Sequence, residues 1–233
     1  MTPDGALAPI AVALDTADWR TFERWCALFG PRVGTLKVGL EAFVRFGPRA
    51  VETARRHARR LFLDLKLHDI PNTVAGAVAS ARDLGADLLT IHAGGGEAMV
   101  AAACEAATGR LGILAVTVLT HLDAPALARL DLPGSAAERA ARWARLARDA
   151  GAAGVVCSPL ELTRLRPELA PPFLLVTPGI RPAGAAAGDQ KRVATPAAAL
   201  AAGADLLVIG RPLTQAEDPE AALAALTAEL GAA

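Results

Sequence analysis

The stretch Leu61-Phe62-Leu63-Asp64-Leu65-Lys66-Leu67-His68-Asp69-Ile70-Pro71-Asn72-Thr73 opens as a continuous apolar run and closes in charge. A short run of this kind reads as a strand of a parallel sheet covered on both faces. On a regular strand Asp64 and Lys66 point to the same side, so a carboxylate and an ammonium leave a largely apolar surface together. Taken alone, a salt bridge at the strand end, with Asp69 opening the next helix beside Pro71, would account for these charges. The rest of the chain weighs toward function.

Similar runs recur along the sequence. They fall at 10–14, 36–38, 61–65, 88–91, 112–118, 154–156, 173–176 and 206–209, separated by alanine-rich segments of helical period. Eight strands alternating with helices predict a parallel sheet closed into a single-domain (β/α)8 TIM barrel over residues 1–233, with a doubly wound open sheet as the alternative. Punctuation agrees: Asp15 and Thr16 precede one helix, Gly85 follows another, and Gly151 and Gly203 stand before strands six and eight. Gly85-Ala86-Asp87 and Gly203-Ala204-Asp205 repeat the same turn, with Gly151-Ala152-Ala153 a weaker echo.

At 233 residues the chain fits one large core. Its 24 basic and 24 acidic residues cancel, and the arginine pairs Arg55-Arg56 and Arg59-Arg60 suit a solvated helix better than a nucleic-acid or membrane surface. Cys26, Cys104 and Cys157 are odd in number and widely spaced, as reduced thiols are, and show no metal-ligand pattern. No apolar run reaches the roughly 18 residues of a membrane span, and no basic flank with a long apolar segment opens the chain. The expectation is a soluble, cytoplasmic protein.

In such a barrel the chemistry sits at the C-terminal strand ends. Read in order, these ends carry Asp15, Lys37, the Asp64/Lys66/Asp69 set, His92 with Gly94 to Gly96, Thr117 and Thr120, Thr177 to Arg181, and Gly210-Arg211. Carboxylates and ammoniums of alternating sign at one mouth offset each other's desolvation. Gly210-Arg211-Pro212 before the last helix offers backbone N–H groups, a helix N-terminus and a guanidinium to a phosphate. Between Gly179 and Thr195 a long loop bearing Arg181, Gly184, Gly188, Gln190, Lys191 and Arg192 reads as a lid over a bound ligand.

Together, Asp64-x-Lys66-x-x-Asp69-Ile70-Pro71-x-Thr73, Val116-Thr117-Val118-Leu119-Thr120, Pro178-Gly179-Ile180-Arg181-Pro182 with Gly188-Asp189-Gln190-Lys191-Arg192, and Val208-Ile209-Gly210-Arg211-Pro212 closely resemble the orotidine 5′-phosphate decarboxylase family. The resemblance implies a homodimeric barrel that forms UMP and CO₂ without metal or organic cofactor. It implies Lys66 as proton donor, Asp64 against the substrate carboxylate, and Lys37 in their network. It implies that Asp69, Ile70 and Thr73 reach into the partner's site, that Asp15 binds ribose and Thr120 the pyrimidine, that Gln190 bridges base and phosphate, and that Arg181, Gly210 and Arg211 hold the phosphate.

Three other readings compete. A metal-dependent decarboxylase of a sugar-acid phosphate such as 3-keto-L-gulonate 6-phosphate would stabilise an enediolate with a divalent ion, which the Lys37 ammonium opposes. An aldolase would use Lys66 as a Schiff base. A catalytically silent UMP-binding protein would gain little from burying repelling charge. Of the remaining polar groups, His57 and His121 read as surface residues, His92 as a structural histidine and His68 as an orienting neighbour. Trp19, Trp25 and Trp143 read as packing.

Overall fold

Each of the eight apolar runs forms a strand, because residues apolar on both sides can be buried only between a barrel interior and an outer layer of helices. The computed structural model describes residues 8–182 and 192–231. Its strands are β1 (Ile10–Ala13), β2 (Thr35–Val38), β3 (Arg60–Leu67), β4 (Leu88–His92), β5 (Gly112–Val116), β6 (Gly154–Val156), β7 (Leu174–Thr177) and β8 (Leu206–Ile209). They pair in parallel in sequence order, and Ile10 of β1 opposite Leu207 of β8 closes the ring. That pairing excludes the open sheet.

The outer layer comprises α1 (Trp19–Phe29), α2 (Leu40–Phe46), α3 (Pro48–His57), α4 (Pro71–Asp83), α5 (Glu97–Ala107), α6 (Ala124–Arg129), α7 (Ala136–Asp149), α8 (Leu162–Leu165), α9 (Pro196–Ala201), α10 (Arg211–Thr214) and α11 (Pro219–Gly231). Among the described residues no helix is long and apolar enough to cross a membrane. One expected cap is corrected. The N-cap of α1 is Asp18, whose carboxylate accepts from the Thr21 N–H at 2.7 Å, not Asp15 or Thr16. Asp15 is thereby left for the barrel mouth.

The repeated Gly-Ala-Asp turns are structurally equivalent. Gly85 and Gly203 take the left-handed conformation, φ 81° and 102°, that lets the chain leave a helix and enter a strand. The aspartate that follows then grips the neighbouring strand twice. Asp87 N–H donates to Leu61 O at 2.9 Å and its carboxylate accepts from Leu61 N–H at 2.6 Å. Asp205 makes the same two bonds to Leu175, at 2.9 and 2.7 Å. An arginine from the helical segment that leads into the gripped strand, Arg55 of α3 or Arg166 at the end of α8, pairs with each carboxylate. Gly151-Ala152-Ala153 keeps the backbone bond, Ala153 N–H to Ile113 O at 2.9 Å, but has no carboxylate to make the second.

Inside the ring, Ala11, Phe62, Leu88, Leu114, Val176 and Leu206 form an apolar floor. Two residues beyond Phe62 and Leu88 the inward positions become Asp64 and Thr90, and Lys37 of β2 joins them, so the period of the strand sets a polar layer on that floor. Phe62 is buried beneath Asp64 in sequence and contributes the largest side chain of the floor. Its replacement by alanine is expected to cost about 3–5 kcal/mol of stability, read as a lowered denaturant midpoint at unchanged slope.

Candidate active site

Asp15, Lys37, Asp64 and Lys66 form one alternating chain of charge. Lys37 Nζ lies 3.3 Å from Asp15 Oδ2 and 2.9 Å from Asp64 Oδ2, while Lys66 Nζ lies 2.8 Å from Asp64 Oδ1. Lys37 and Asp64 are buried, and Lys66 is partly open to the mouth. Burial alone would push the Asp64 carboxyl up, but Lys37 and Lys66 outweigh it and hold the group far below the usual carboxylate range. Burial would likewise pull the Lys37 ammonium down, and Asp64 and Asp15 raise it instead. Both ions therefore exist in a place where neither would survive alone.

Asp64 and Lys66 meet by a route that simple alternation does not supply. Leu63 pairs with Leu89 and Leu67 with Ile91, so residues 64, 65 and 66 of β3 stand opposite Thr90 alone. The bulge turns Lys66 into the left-handed region at φ 52°, an uncommon conformation for a residue with a side chain. Its N–H donates to Thr90 Oγ1 at 2.9 Å, and the Thr90 hydroxyl donates to Asp64 Oδ1 at 2.9 Å. Thr90 escaped the sequence reading. Its signal was the one polar residue in Leu88-Leu89-Thr90-Ile91, two positions from inward-facing Leu88.

A cavity of about 470 Å³ opens beside this array and is lined by Asp15, Lys37 and Asp64 together with Arg181, Gly210 and Arg211. That size suits a small-molecule site. Glu41, Thr214 and Gln215 also line it, as does Trp25, which combines core packing with a place on the wall. Gly39, at the end of β2, is required here: a Cβ would overlap both carboxylate oxygens of Asp15. Asp15 Oδ1 is buried and has no hydrogen-bond partner among the described residues. Gly210 precedes α10, but α10 is a single turn of four residues, so the expected helix dipole is small and local N–H groups must do most of any anion binding there.

Of the lid, Gly184, Gly188, Gln190 and Lys191 lie outside the described residues. The two ends of the loop are tied: Arg181 N–H donates to Ala194 O at 3.0 Å, and Ile180 bridges Ala194. Arg192 is drawn inward. It pairs with buried Glu161 and donates to Val118 O and Leu119 O, each at 3.0 Å, next to half-buried Thr120. Burial pushes the Glu161 carboxyl up, and Arg192 and the Ser158 N–H only partly offset it. Glu161 was also missed, although Ser158-Pro159-Leu160-Glu161 has the spacing of a capping box and forms one.

Thr120 is not on the wall of this cavity, and neither are Asp69, Ile70 and Thr73. The last three are exposed. Asp69 and Ile70 line a separate, open depression with His68, Pro71, Gly94 and Gly95, while Asp69 accepts from the Ile70 N–H at 2.7 Å. His92 packs tilted against His68 at 5.3 Å, and burial, with His68 and Lys66 nearby, holds its imidazole below the ordinary value. Trp19 packs with Phe22 and Phe46, as a helix-face aromatic does.

Comparison with known proteins places this geometry in a family. The profile described as "Orotidine 5'-phosphate decarboxylase / HUMPS family" matches residues 8–226. The chain is 59% identical over 224 residues to the orotidine 5′-phosphate decarboxylase of Thermobifida fusca, covering 96% of each protein. It is 55% identical over 221 residues to that of Anaeromyxobacter sp., covering 95% of this chain and 97% of the relative. The crystal structure of orotidine 5′-phosphate decarboxylase from Lactobacillus acidophilus superimposes with a TM-score of 0.82 at 34% identity, covering 95% of this chain and 98% of that one. On both sequence and fold, the chain belongs to the orotidine 5′-phosphate decarboxylase / HUMPS family.

Proposed function

We propose that this chain converts orotidine 5′-phosphate to UMP and CO₂, the last step of UMP synthesis, without metal or organic cofactor. The observation that carries the reading is the Asp15-Lys37-Asp64-Lys66 array: Asp15, Lys37 and Asp64 line the cavity that Arg181, Gly210 and Arg211 also line, and Lys66 joins it through its ion pair with Asp64. The relatives named above supply the substrate class.

The reaction breaks the bond between C6 of the pyrimidine and its carboxylate, and the electron pair stays on C6. No carbonyl or iminium is placed to delocalise it, so stabilisation must come from fixed charge in a pocket with little water. The Lys66 ammonium supplies that charge and then gives C6 its proton. Asp64, ionised and fixed, repels the bound carboxylate but not neutral CO₂, which favours the transition state over the ground state. Lys37 keeps Asp64 ionised and Asp15 in place.

The compensating grip is remote. Arg181, Arg211 and the backbone at Gly210 take the phosphate, Gln190 bridges base and phosphate, and Thr120 takes the pyrimidine. The buried Asp15 Oδ1 accepts from a ribose hydroxyl, a partner it otherwise lacks among the described residues. Binding energy at the phosphate offsets the repulsion at the reacting carbon. A divalent ion has no place on Asp64, because one oxygen carries Lys66 and the other Lys37. This favours the decarboxylase over the metal-dependent sugar-acid chemistry.

The working form is a homodimer in the cytoplasm, with Asp69, Ile70 and Thr73 completing the partner's site. Their exposure in the single chain supports this, as does Ile70, an apolar side chain left 66% exposed beside an open depression.

Purified protein is expected to decarboxylate orotidine 5′-phosphate in excess chelator, and Lys66→Ala to lower kcat by at least about 10²–10⁴-fold while remaining folded. Activity abolished by the chelator and restored by a divalent ion would overturn the mechanism. Arg211→Ala is expected to lower kcat/KM by about 3 kcal/mol for the phosphorylated substrate, and wild-type kinetics would remove Arg211 from the phosphate site. Heterodimers of Lys66→Ala with Asp69→Ala contain one intact site if the sites are shared, so their activity should exceed that of either parent; inactive heterodimers would refute sharing.

A further inference from the structure

Thr90 touches both halves of the reacting pair yet has no place in the mechanism above. It is fully buried at the centre of β4. The β3 bulge removes the Lys66 amide from the regular ladder, and a buried N–H must find an acceptor. The Thr90 hydroxyl is that acceptor, at 2.9 Å. Its single proton is then directed at Asp64 Oδ1, also at 2.9 Å, the oxygen that receives Lys66 Nζ.

We infer that Thr90 is a positioning residue for decarboxylation: its hydroxyl holds Lys66 in the left-handed conformation and fixes the rotation of the Asp64 carboxylate. The inference rests on the functional reading given above. A left-handed lysine is strained by its own Cβ and persists only where its surroundings over-determine it. With Lys37 on one oxygen and Lys66 plus Thr90 on the other, Asp64 has no free rotation. The proton donor and the repelling carboxylate are thus aligned by one group that need not touch substrate.

Two substitutions separate this role from packing. Thr90→Val keeps the shape and removes the hydroxyl; Thr90→Ser keeps the hydroxyl and removes a methyl. A packing role predicts that valine is tolerated and serine is not. Positioning predicts the reverse: Thr90→Val lowers kcat by roughly tenfold or more with KM within about twofold, and Thr90→Ser stays within about threefold of wild type. Valine at wild-type kcat, or serine impaired as much as valine, overturns the proposal.

Amide hydrogen exchange provides a readout independent of turnover. The Lys66 amide should exchange at least about tenfold faster in Thr90→Val and near the wild-type rate in Thr90→Ser, and an unchanged rate in the valine variant also overturns the proposal. A wild-type protein without decarboxylase activity would instead defeat the functional reading, while the exchange experiment would still decide whether Thr90 holds Lys66.

Discussion

Asp64 stays ionised where burial would otherwise neutralise it, and the rest of the mouth is arranged around that fact. Two ammoniums, one from β2 and one from its own strand, take its two oxygens. Removing either would leave the buried carboxylate with one ammonium in place of two, weakening what holds it ionised. The apolar floor beneath keeps water from screening the interaction, so the barrel core and the electrostatics of the mouth depend on each other.

The same constraint explains the local backbone. An ordinary β3 would deliver Asp64 and Lys66 two residues apart along a rigid pleat, with their charged ends separated by the strand rise. The bulge shortens that reach. A strained lysine, a hydroxyl on the neighbouring strand and an ion pair at 2.8 Å form one unit, in which backbone strain is offset by charge pairing.

The barrel was legible because its signals are local: apolar runs, glycine turns and the repeated Gly-Ala-Asp. The charged array was legible too, since unlike charges at the ends of apolar strands have few purposes. What the sequence hid depends on register between strands. Three residues of β3 facing Thr90 is a property of two segments at once, and no pattern within either one shows it. Arg192 with Glu161 is hidden for the same reason, being a contact between distant loops. The cap of α1 shows the other kind of limit: Asp15 and Asp18 look alike as helix openers, and only the fold shows that Asp18 caps the helix while the Asp15 carboxylate lies against Gly39 at the mouth.

Asp87 and Asp205 stand at the heads of β4 and β8, four strands apart in a ring of eight. They rivet opposite sides of the barrel's far rim, where no reacting group lies, each tying a strand to its predecessor and to an arginine. A hoop fastened in this way leaves the other rim at liberty to vary. Residues there can be traded for new chemistry while the staves stay in order.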